Sequence, residues 1–529
     1  DAMNPNDGTR RLPALRPLAC GVMIALTALP ASSLMARNMN NETEVIDETY
    51  NVEDWNLSNG SHLTVNNGST HIIMANDSTV VLNGATVSRV NANGSQHSLD
   101  LRGNSTATAT NTAFNGGTVY VSGGSSLSLT GSTITVDETA PGMGTGGLQS
   151  YGISINSPGA TGNPNVLLDS SSIRVVDNPG ATDYGSGVGV NMLAGGVTLQ
   201  NGSSIDAANA GVVMYGQNSL ANSLRLTLDN SHIKSGRSAG IKVLAADGAN
   251  NDYDILVANG STIDAGDDHL LLVQAFNGLQ MTGDHKVTFT VDNSQLEGNI
   301  WFDDTDMTGN SAVNVVLRNN ASILGRFTNV TRTDISTGSS WTLTGDSSVG
   351  HLELGNNGSV VLGQGNGTFN TLSVDTFNGT GGTVVFNTQL DGDASATDKL
   401  VINGDATGQA NVQVLNAGGQ GAQTVNGIEL IDINGASNAQ FDLIGRAVGG
   451  LYEYKLFKGE DGNWYLRSQL EDGTGPEPDP CEANPTLCDI TLPVEPIVTL
   501  PVEDDITIEP GTPDGGDEVT LPVLPDIIV

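Results

Sequence analysis

Residues Val197–Asp206 read VTLQNGSSID, and this short stretch contains the unit that predicts the fold. Two alternating apolar residues, Val197 and Leu199, precede a polar turn, and a polar-Ser-polar-aliphatic step then ends on Ile205. Alternation with a period of two residues indicates a strand with one buried face. Asn and Gly suit turns that need a positive φ. The stretch therefore predicts a strand, a tight turn and a second strand.

The same step recurs along the chain. It is found at Gly131-Ser132-Thr133-Ile134, Ser170-Ser171-Ser172-Ile173, Gly202-Ser203-Ser204-Ile205, Asn230-Ser231-His232-Ile233, Gly260-Ser261-Thr262-Ile263, Asn293-Ser294-Gln295-Leu296 and Asn320-Ala321-Ser322-Ile323. Its aliphatic residues are 39, 32, 28, 30, 33 and 27 positions apart. A strand pattern that recurs about every 30 residues without amphipathic helices is typical of a solenoid in which one repeat is one coil.

The predicted fold is all-β, a right-handed three-faced parallel β-helix solenoid with a C-terminal hairpin cap. We expect Val, Ile and Leu to stack in its narrow interior and little room for Trp there. The alternative, an array of β-sandwich domains, would repeat at about 100 residues.

The composition, above all the strongly negative net charge, limits the classes of molecule that the protein can bind. The 529 residues include 67 Gly, 4% aromatic residues and three Cys, and carry a net charge of −38. Such an excess of acid repels nucleic acid, so no nucleic-acid partner is predicted. Three Cys cannot supply a disulfide framework for a chain of this length.

The N-terminal residues 1–36 have the layout of a secretory signal. Arg10, Arg11 and Arg16 precede an apolar run over residues 18–29, and small residues such as Ser33 follow it. The run is too short to span a bilayer. We expect cleavage after residue 33 or 36 and an exported mature chain.

The C-terminal part of the body resembles the passenger of pertactin-like bacterial autotransporters. The resemblance rests on three ordered blocks, Asp398–Gly404 (DKLVING), Ala422–Glu429 (AQTVNGIE) and Asp461–Leu466 (DGNWYL). The last block follows the aromatic-rich segment Tyr452–Gly459, and together the two segments predict a hairpin that closes the solenoid.

The resemblance implies a β-helix passenger over residues 37–376 and an autochaperone-like cap over 377–470 that folds first. Residues 471–529, acidic and Pro-rich, predict a linker. The resemblance further implies that the linker leads to an outer-membrane barrel, which this chain does not include. Cys481 and Cys488 are predicted to form a small local disulfide in an oxidising compartment.

The sequence predicts no catalytic centre, no metal and no cofactor. Gly345-Asp346-Ser347 is similar to the nucleophile loop of secreted serine proteases, but it lies within a predicted turn. A polysaccharide-active β-helix enzyme remains the alternative function, and it would need clustered acids with a basic residue.

One outward row of charges is the candidate binding surface. When the coils are aligned on the aliphatic residue of each step, the residue that follows it in each coil falls on one outward line with steps of about 4.8 Å. The first four of these residues alternate in charge. The row consists of Arg174, Asp206, Lys234, Asp264 and Glu297, and it is flanked by Arg237, Lys242, Asp267, Asp268 and Arg326. Two hypotheses stay open: neighbours on the row pair as a structural ladder, or the row contacts a sugar chain laid along the axis.

The predicted function is that of a surface-displayed adhesin, a non-enzymatic virulence factor, either anchored at the outer membrane after export through the periplasm or released. It would bind a host extracellular-matrix glycosaminoglycan or a fibronectin-like glycoprotein through one flank and its loops. The long insertion Asp137–Asn165 and the shorter Leu244–Asp254 and Asp303–Ser311 are candidate recognition loops. Self-association between bacteria, as in a biofilm, is a further alternative.

Overall fold

The computed structural model describes residues 36–89, 95–146, 149–157, 162–178, 180, 185–216, 222–246, 248 and 250–468. The chain divides into Asp1–Gly473 and Thr474–Val529, and all described residues belong to the first unit. The predicted signal segment up to residue 35, the predicted linker over 471–529 and the proposed Cys481–Cys488 disulfide lie outside the described residues.

The body is a parallel β-helix with three faces, as predicted. Most coils contribute a short strand to each face in turn, because the apolar residues alternate and the turns interrupt the strands every few residues. The first face is a 12-stranded parallel sheet. It contains β1 (Arg37–Asn40), β3 (Trp55–Ser58), β6 (Ile73–Asn76), β9 (His97–Arg102), β12 (Thr118–Ser122), β15 (Tyr151–Asn156), β18 (Val188–Met192), β21 (Val212–Tyr215), β24 (Ile241–Ala245), β27 (His269–Ala275), β30 (Asn299–Phe302) and β33 (Phe327–Thr328).

The second face is the longest. Its strands pair in parallel from the N-terminal coil to the C-terminal region. They are β2 (Thr43–Asp47), β4 (His62–Asn66), β7 (Thr79–Asn83), β10 (Thr106–Thr110), β13 (Ser126–Thr130), β16 (Asn165–Asp169), β19 (Gly196–Gln200), β22 (Asn222–Asp229), β25 (Asn251–Ala258), β28 (His285–Asp292), β31 (Ala312–Arg318), β34 (Val330–Ile335), β36 (Ser347–Leu354), β38 (Thr371–Thr388), β40 (Ala406–Asn416) and β42 (Gln440–Leu443).

The third face contains the strands that follow the polar-Ser-polar-aliphatic turns. Eight of them form one sheet: β5 (Ser69–Thr70), β8 (Thr86–Ser88), β11 (Ala113–Asn115), β14 (Thr133–Asp137), β17 (Ser172–Val176), β20 (Ser204–Ala207), β23 (His232–Ser235) and β26 (Thr262–Asp264). The parallel series resumes in β29 (Gln295–Glu297), β32 (Ser322–Leu324), β35 (Ser340–Thr342) and β37 (Ser359–Val361).

Strand register confirms that one repeat is one coil. Ile134, Ile173, Ile205, Ile233 and Ile263 are successive partners across β14, β17, β20, β23 and β26. All five side chains are buried, so the repeated aliphatic residue forms one column of the interior.

The repeated Ser has a role of its own in the turn between the second and third faces. Ser132, Ser171 and Ser203 are buried, and the N–H of Ser132 donates to Ser171 Oγ at 3.0 Å. The N–H of Ser171 donates in the same way to Ser203 Oγ, also at 3.0 Å. A buried N–H needs a partner, and the hydroxyl of the next coil supplies it. Asn201 and Asn230 adopt positive φ in these turns, as predicted.

The interior holds Trp side chains, contrary to the prediction. Trp55 and Trp341 are fully buried, so the expectation of little room for Trp was wrong. Trp341 stacks on Phe327 with ring centroids 4.0 Å apart, and its Nε1–H donates to the carbonyl of Gly325 at 2.9 Å. The large ring is accommodated because its single polar atom has a backbone acceptor and a small residue lies beside it.

The C-terminal region departs from the short-strand pattern. The 18-residue β38 pairs with both β36 and β37 and thereby joins the second and third faces, and β39 (Lys399–Ile402) and β41 (Ile428–Ile433) continue the sheet. The predicted hairpin is confirmed as β44 (Tyr452–Lys458) and β45 (Trp464–Arg467), which are antiparallel. β45 also pairs antiparallel with β41, and β44 with β43 (Ala447–Gly449). The predicted domain boundary at 376/377 falls within β38 and stays a prediction.

Within the described ranges no helix has both the length and the apolar character needed to cross a bilayer.

Candidate binding surfaces

The predicted outward row exists on the third face. Arg174, Asp206, Lys234 and Asp264 are register partners on consecutive strands, and all four side chains are exposed. Glu297 lies further along this face on β29, where it pairs in register with Leu324. The alignment of the coils therefore placed four charges correctly in one line.

Neighbours on this row do not pair with one another as a structural ladder would require. Arg174 approaches Asp137 at 4.0 Å, and Asp264 approaches His232 at 3.6 Å. Asp206 and Lys234 take part in no ion pair within the described part of the chain. Exposed ion pairs contribute only about 0–1 kcal/mol, so solvation of both charges competes successfully with pairing.

Two of the flanking cations, Arg237 and Lys242, interact with neighbouring side chains of the protein. Arg237 Nη2 lies 2.6 Å from Asp177 Oδ2, and Asp177 also accepts from Ser186 Oγ at 2.5 Å. Since Asp177 is buried, its charge needs Arg237 as a partner. Lys242 is half-buried on β24 of the first face. Its pKa is lowered, mainly by burial; the charge of Asp267 acts against this shift, and the charge of Arg237 adds to it.

Three of the acidic residues lie close together where the third face passes from β26 to β29. Asp264, Asp268 and Glu297 line an open depression of about 530 Å³. Nearby, Arg326 is exposed, and its backbone N–H donates to Asn299 Oδ1 at 2.8 Å. In the part of the chain that the structure describes, no three His, Cys, Asp or Glu side chains are grouped so as to hold a metal ion.

A different surface, on the first face, was missed by the sequence analysis. Val188, Ala210, Val213 and Leu244 form an apolar cluster on the outside of the sheet, covered by Tyr151, Tyr215 and Phe276. Val213 is only 4% exposed, although it is the register partner of the outward-facing Asn191 and Lys242. We call the surface depression between these side chains the aromatic groove; its volume is about 500 Å³.

The rings of the aromatic groove are fixed by packing. Tyr215 and Phe276 meet edge to face, with centroids 4.8 Å apart. Burial raises the pKa of Tyr151 to about 12, and the neighbouring Tyr215 adds to the shift. Burial also raises the pKa of Tyr215, so both phenols stay neutral at physiological pH.

A sequence signal for this surface was present. The run Val212-Val213-Met214-Tyr215 is apolar without alternation, which predicts a strand covered on both faces. Part of the cover comes from the predicted insertion Asp137–Asn165, which is not wholly a loop because it contains β15.

Ser347 is the serine of the Gly345-Asp346-Ser347 segment, and its hydroxyl makes hydrogen bonds to the backbone. It donates to the carbonyl of Gly345 at 3.0 Å and accepts from the N–H of Phe327 at 3.2 Å. Ser347 is 5% exposed. Its side chain therefore serves the backbone of two adjacent coils.

The C-terminal region matches a known family model. Residues 347–456 match the model of the Autochaperone Domain Type 1. The matched region begins ahead of the predicted cap boundary at 377 and ends within the hairpin strand β44.

Autotransporters are similar to part of this chain. It is 42% identical over 107 residues to the autotransporter adhesin AIDA-I of Escherichia coli, covering 19% of this chain and 8% of that protein. It is 36% identical over 131 residues to the pertactin autotransporter of Bordetella bronchiseptica, covering 24% of this chain and 14% of that protein. The structure of the E. coli autotransporter UpaB aligns over 82% of this chain and 94% of UpaB, with 18% identity and a TM-score of 0.40.

The family model and the two autotransporter sequences confirm the resemblance to pertactin-like autotransporter passengers of the adhesin type. They indicate an exported protein of the cell surface or outer membrane. The chain spans less than a sixth of the length of AIDA-I and of pertactin.

Proposed function

We propose that this chain is the passenger of a surface adhesin that binds host extracellular-matrix glycans or glycoproteins through the third face and its flanking loops. The observation that carries the proposal is the exposed line Arg174, Asp206, Lys234, Asp264, in which Lys234 has no ion-pair partner within the described ranges. Charges that are solvated and regularly spaced are available to a ligand.

The spacing of the two cations suits a polyanionic chain. Arg174 and Lys234 are two strands apart, or roughly 10 Å, which is comparable to the length of a disaccharide unit. A glycosaminoglycan laid along the axis would meet Arg174 and Lys234 with successive acidic groups, while its hydroxyls and amides could bond to Asp206 and to the serine and threonine side chains beside the row. Because the whole chain carries −38, an anionic ligand must be held by these local cations.

The test uses charge reversal on the row. The variant Arg174→Glu plus Lys234→Glu should bind immobilised heparin and fibronectin more weakly, by about three- to tenfold, because exposed charge contacts are individually small. Binding by the unaltered passenger should also weaken as salt rises, since salt screens exposed charges.

The matched control is Arg225→Glu plus Lys286→Glu, which makes the same change in net charge on the second face, where both side chains are exposed. An equal loss of binding in the two double variants would mean that only the net charge of the protein matters, and it would contradict the proposal. Shortened glycan products after incubation would favour the polysaccharide-active enzyme instead. Arg237 is left unaltered because it pairs with the buried Asp177.

A further inference from the structure

The aromatic groove has an unusual lining for the outside of an acidic solenoid. Its walls are Tyr151, Tyr215 and Phe276, its apolar floor includes Val213 and Leu244, and none of the described residues that line it is charged. A neutral, partly apolar depression on a chain of net charge −38 does not favour an ionic ligand.

At one edge of the groove, one polar atom has no hydrogen-bond partner among the described residues and another makes only a long contact. Asn156 lies on β15 and lines the groove, and its Oδ1 is buried but accepts no hydrogen bond from the described residues. Asn191 Nδ2 is 3.5 Å from Ser154 Oγ, a long contact that leaves much of its donor capacity unused. Buried acceptors are normally paired, by protein, water or ligand, so this edge is suited to a ligand that donates hydrogen bonds.

We propose that the aromatic groove binds an uncharged saccharide. Sugar rings have an apolar C–H face and a rim of hydroxyl groups, and the groove offers aromatic rings beside amide and hydroxyl side chains. A ring stacked on Tyr215 or Phe276 would direct its hydroxyls to Asn156, Ser154 and Asn191. The volume of about 500 Å³ is within the ~300–1,000 Å³ range of ligand pockets.

An extended peptide suits this site less well. Peptides that bind to sheets usually add a strand at an exposed edge, whereas the groove lies over the middle of the first face, with β15, β18, β21 and β24 already paired on both sides. The site is on another face from the charged row, so the inference does not depend on the proposed function.

The experiment applies the full chain to an array of neutral and anionic oligosaccharides. Asn156→Ala removes an acceptor that has no partner among the described residues, so the fold should be retained, and Tyr215→Leu keeps apolar volume while removing the ring. Each variant should weaken binding to neutral oligosaccharides by roughly tenfold. Trp301→Leu is the matched control, since Trp301 is a 37%-exposed aromatic residue on the same face but outside the groove.

The outcomes separate the two proposals. Neutral signals lost in both groove variants and retained in Trp301→Leu would support the inference. It would be overturned by the absence of neutral signals with the unaltered chain, or by neutral signals that both groove variants retain. Anionic signals alone, sensitive to Arg174 and Lys234, would uphold the charged row and reject the groove as a sugar site. Groove-dependent signals on a peptide array, with none on glycans, would assign the groove to a protein ligand and likewise overturn the inference.

Discussion

Single carboxylates hold the C-terminal turns together, and Asp393 is the clearest case. Its Oδ1 accepts the N–H groups of Val425 at 2.9 Å and Gly427 at 3.0 Å, and its Oδ2 accepts that of Asn426 at 2.8 Å. Partial burial acts to raise the pKa of Asp393, but the three backbone donors and the charge of Arg467 together outweigh it, so the pKa is lowered. The ionised carboxylate thus fastens one loop to the next coil.

Replacing Asp393 by Asn should destabilise the protein at neutral pH by about 1–3 kcal/mol. The NH₂ group of the amide would replace one carboxylate oxygen and would face a backbone N–H that also donates. The lowered pKa means that the stabilisation is present above the unfolded-state pKa and is lost as pH falls through the native pKa. The difference between wild type and variant, measured by denaturant unfolding at several pH values, should therefore shrink in acid. Asp375→Asn, at an exposed position of β38, is the control and should stay within about 0.5 kcal/mol of wild type.

At the scale of elements, the turn between the second and third faces holds neighbouring coils together through its repeated Ser. Ser171 Oγ accepts from the N–H of Ser132 in one coil and donates to the carbonyl of Asp169 in its own at 2.8 Å. The hydroxyl thus connects two coils and also closes its own turn.

Ser171→Ala should lower the free energy of unfolding by about 1–3 kcal/mol, since it leaves the buried N–H of Ser132 without an acceptor. Amide exchange at Ser132 should accelerate, and Ser172→Ala, which alters the next residue on the strand, should leave it nearly unchanged. Unaltered exchange in Ser171→Ala would show that the hydroxyl is dispensable.

What the sequence could predict follows from which interactions are local and repeated. The column through Ile173 and Ile205, the turn Asn residues and the row through Arg174 and Lys234 were predictable because each recurs once per coil. The aromatic groove was not predicted, since Tyr151, Tyr215 and Phe276 come from different coils and meet only when the coils stack. The partnership of Arg237 with Asp177 was missed for the same reason, as 60 positions separate them.

At the scale of the whole molecule, large aromatic contacts link the hairpin to the C-terminal coils. Phe441 packs against Phe377 and against Trp464, each with centroids 5.5 Å apart. The hairpin of β44 and β45 adds contacts between residues close in sequence, and local contacts form at a lower entropic cost than distant ones. We therefore expect the region that matches the autochaperone family to form early and to present a finished edge on which the other coils stack.

Two Phe→Ala variants test this order of folding. Phe441 and Phe114 are each 1% exposed, so both substitutions should cost about 3–5 kcal/mol at equilibrium. If the C-terminal region forms first, Phe441→Ala should mainly slow refolding of the full chain, whereas Phe114→Ala, far to the N-terminal side, should mainly accelerate unfolding. Refolding and unfolding rates after denaturant jumps measure the two effects. A Phe114→Ala chain that refolds as slowly as Phe441→Ala, or more slowly, would place the nucleus elsewhere, because a residue outside the nucleus changes the folding rate little.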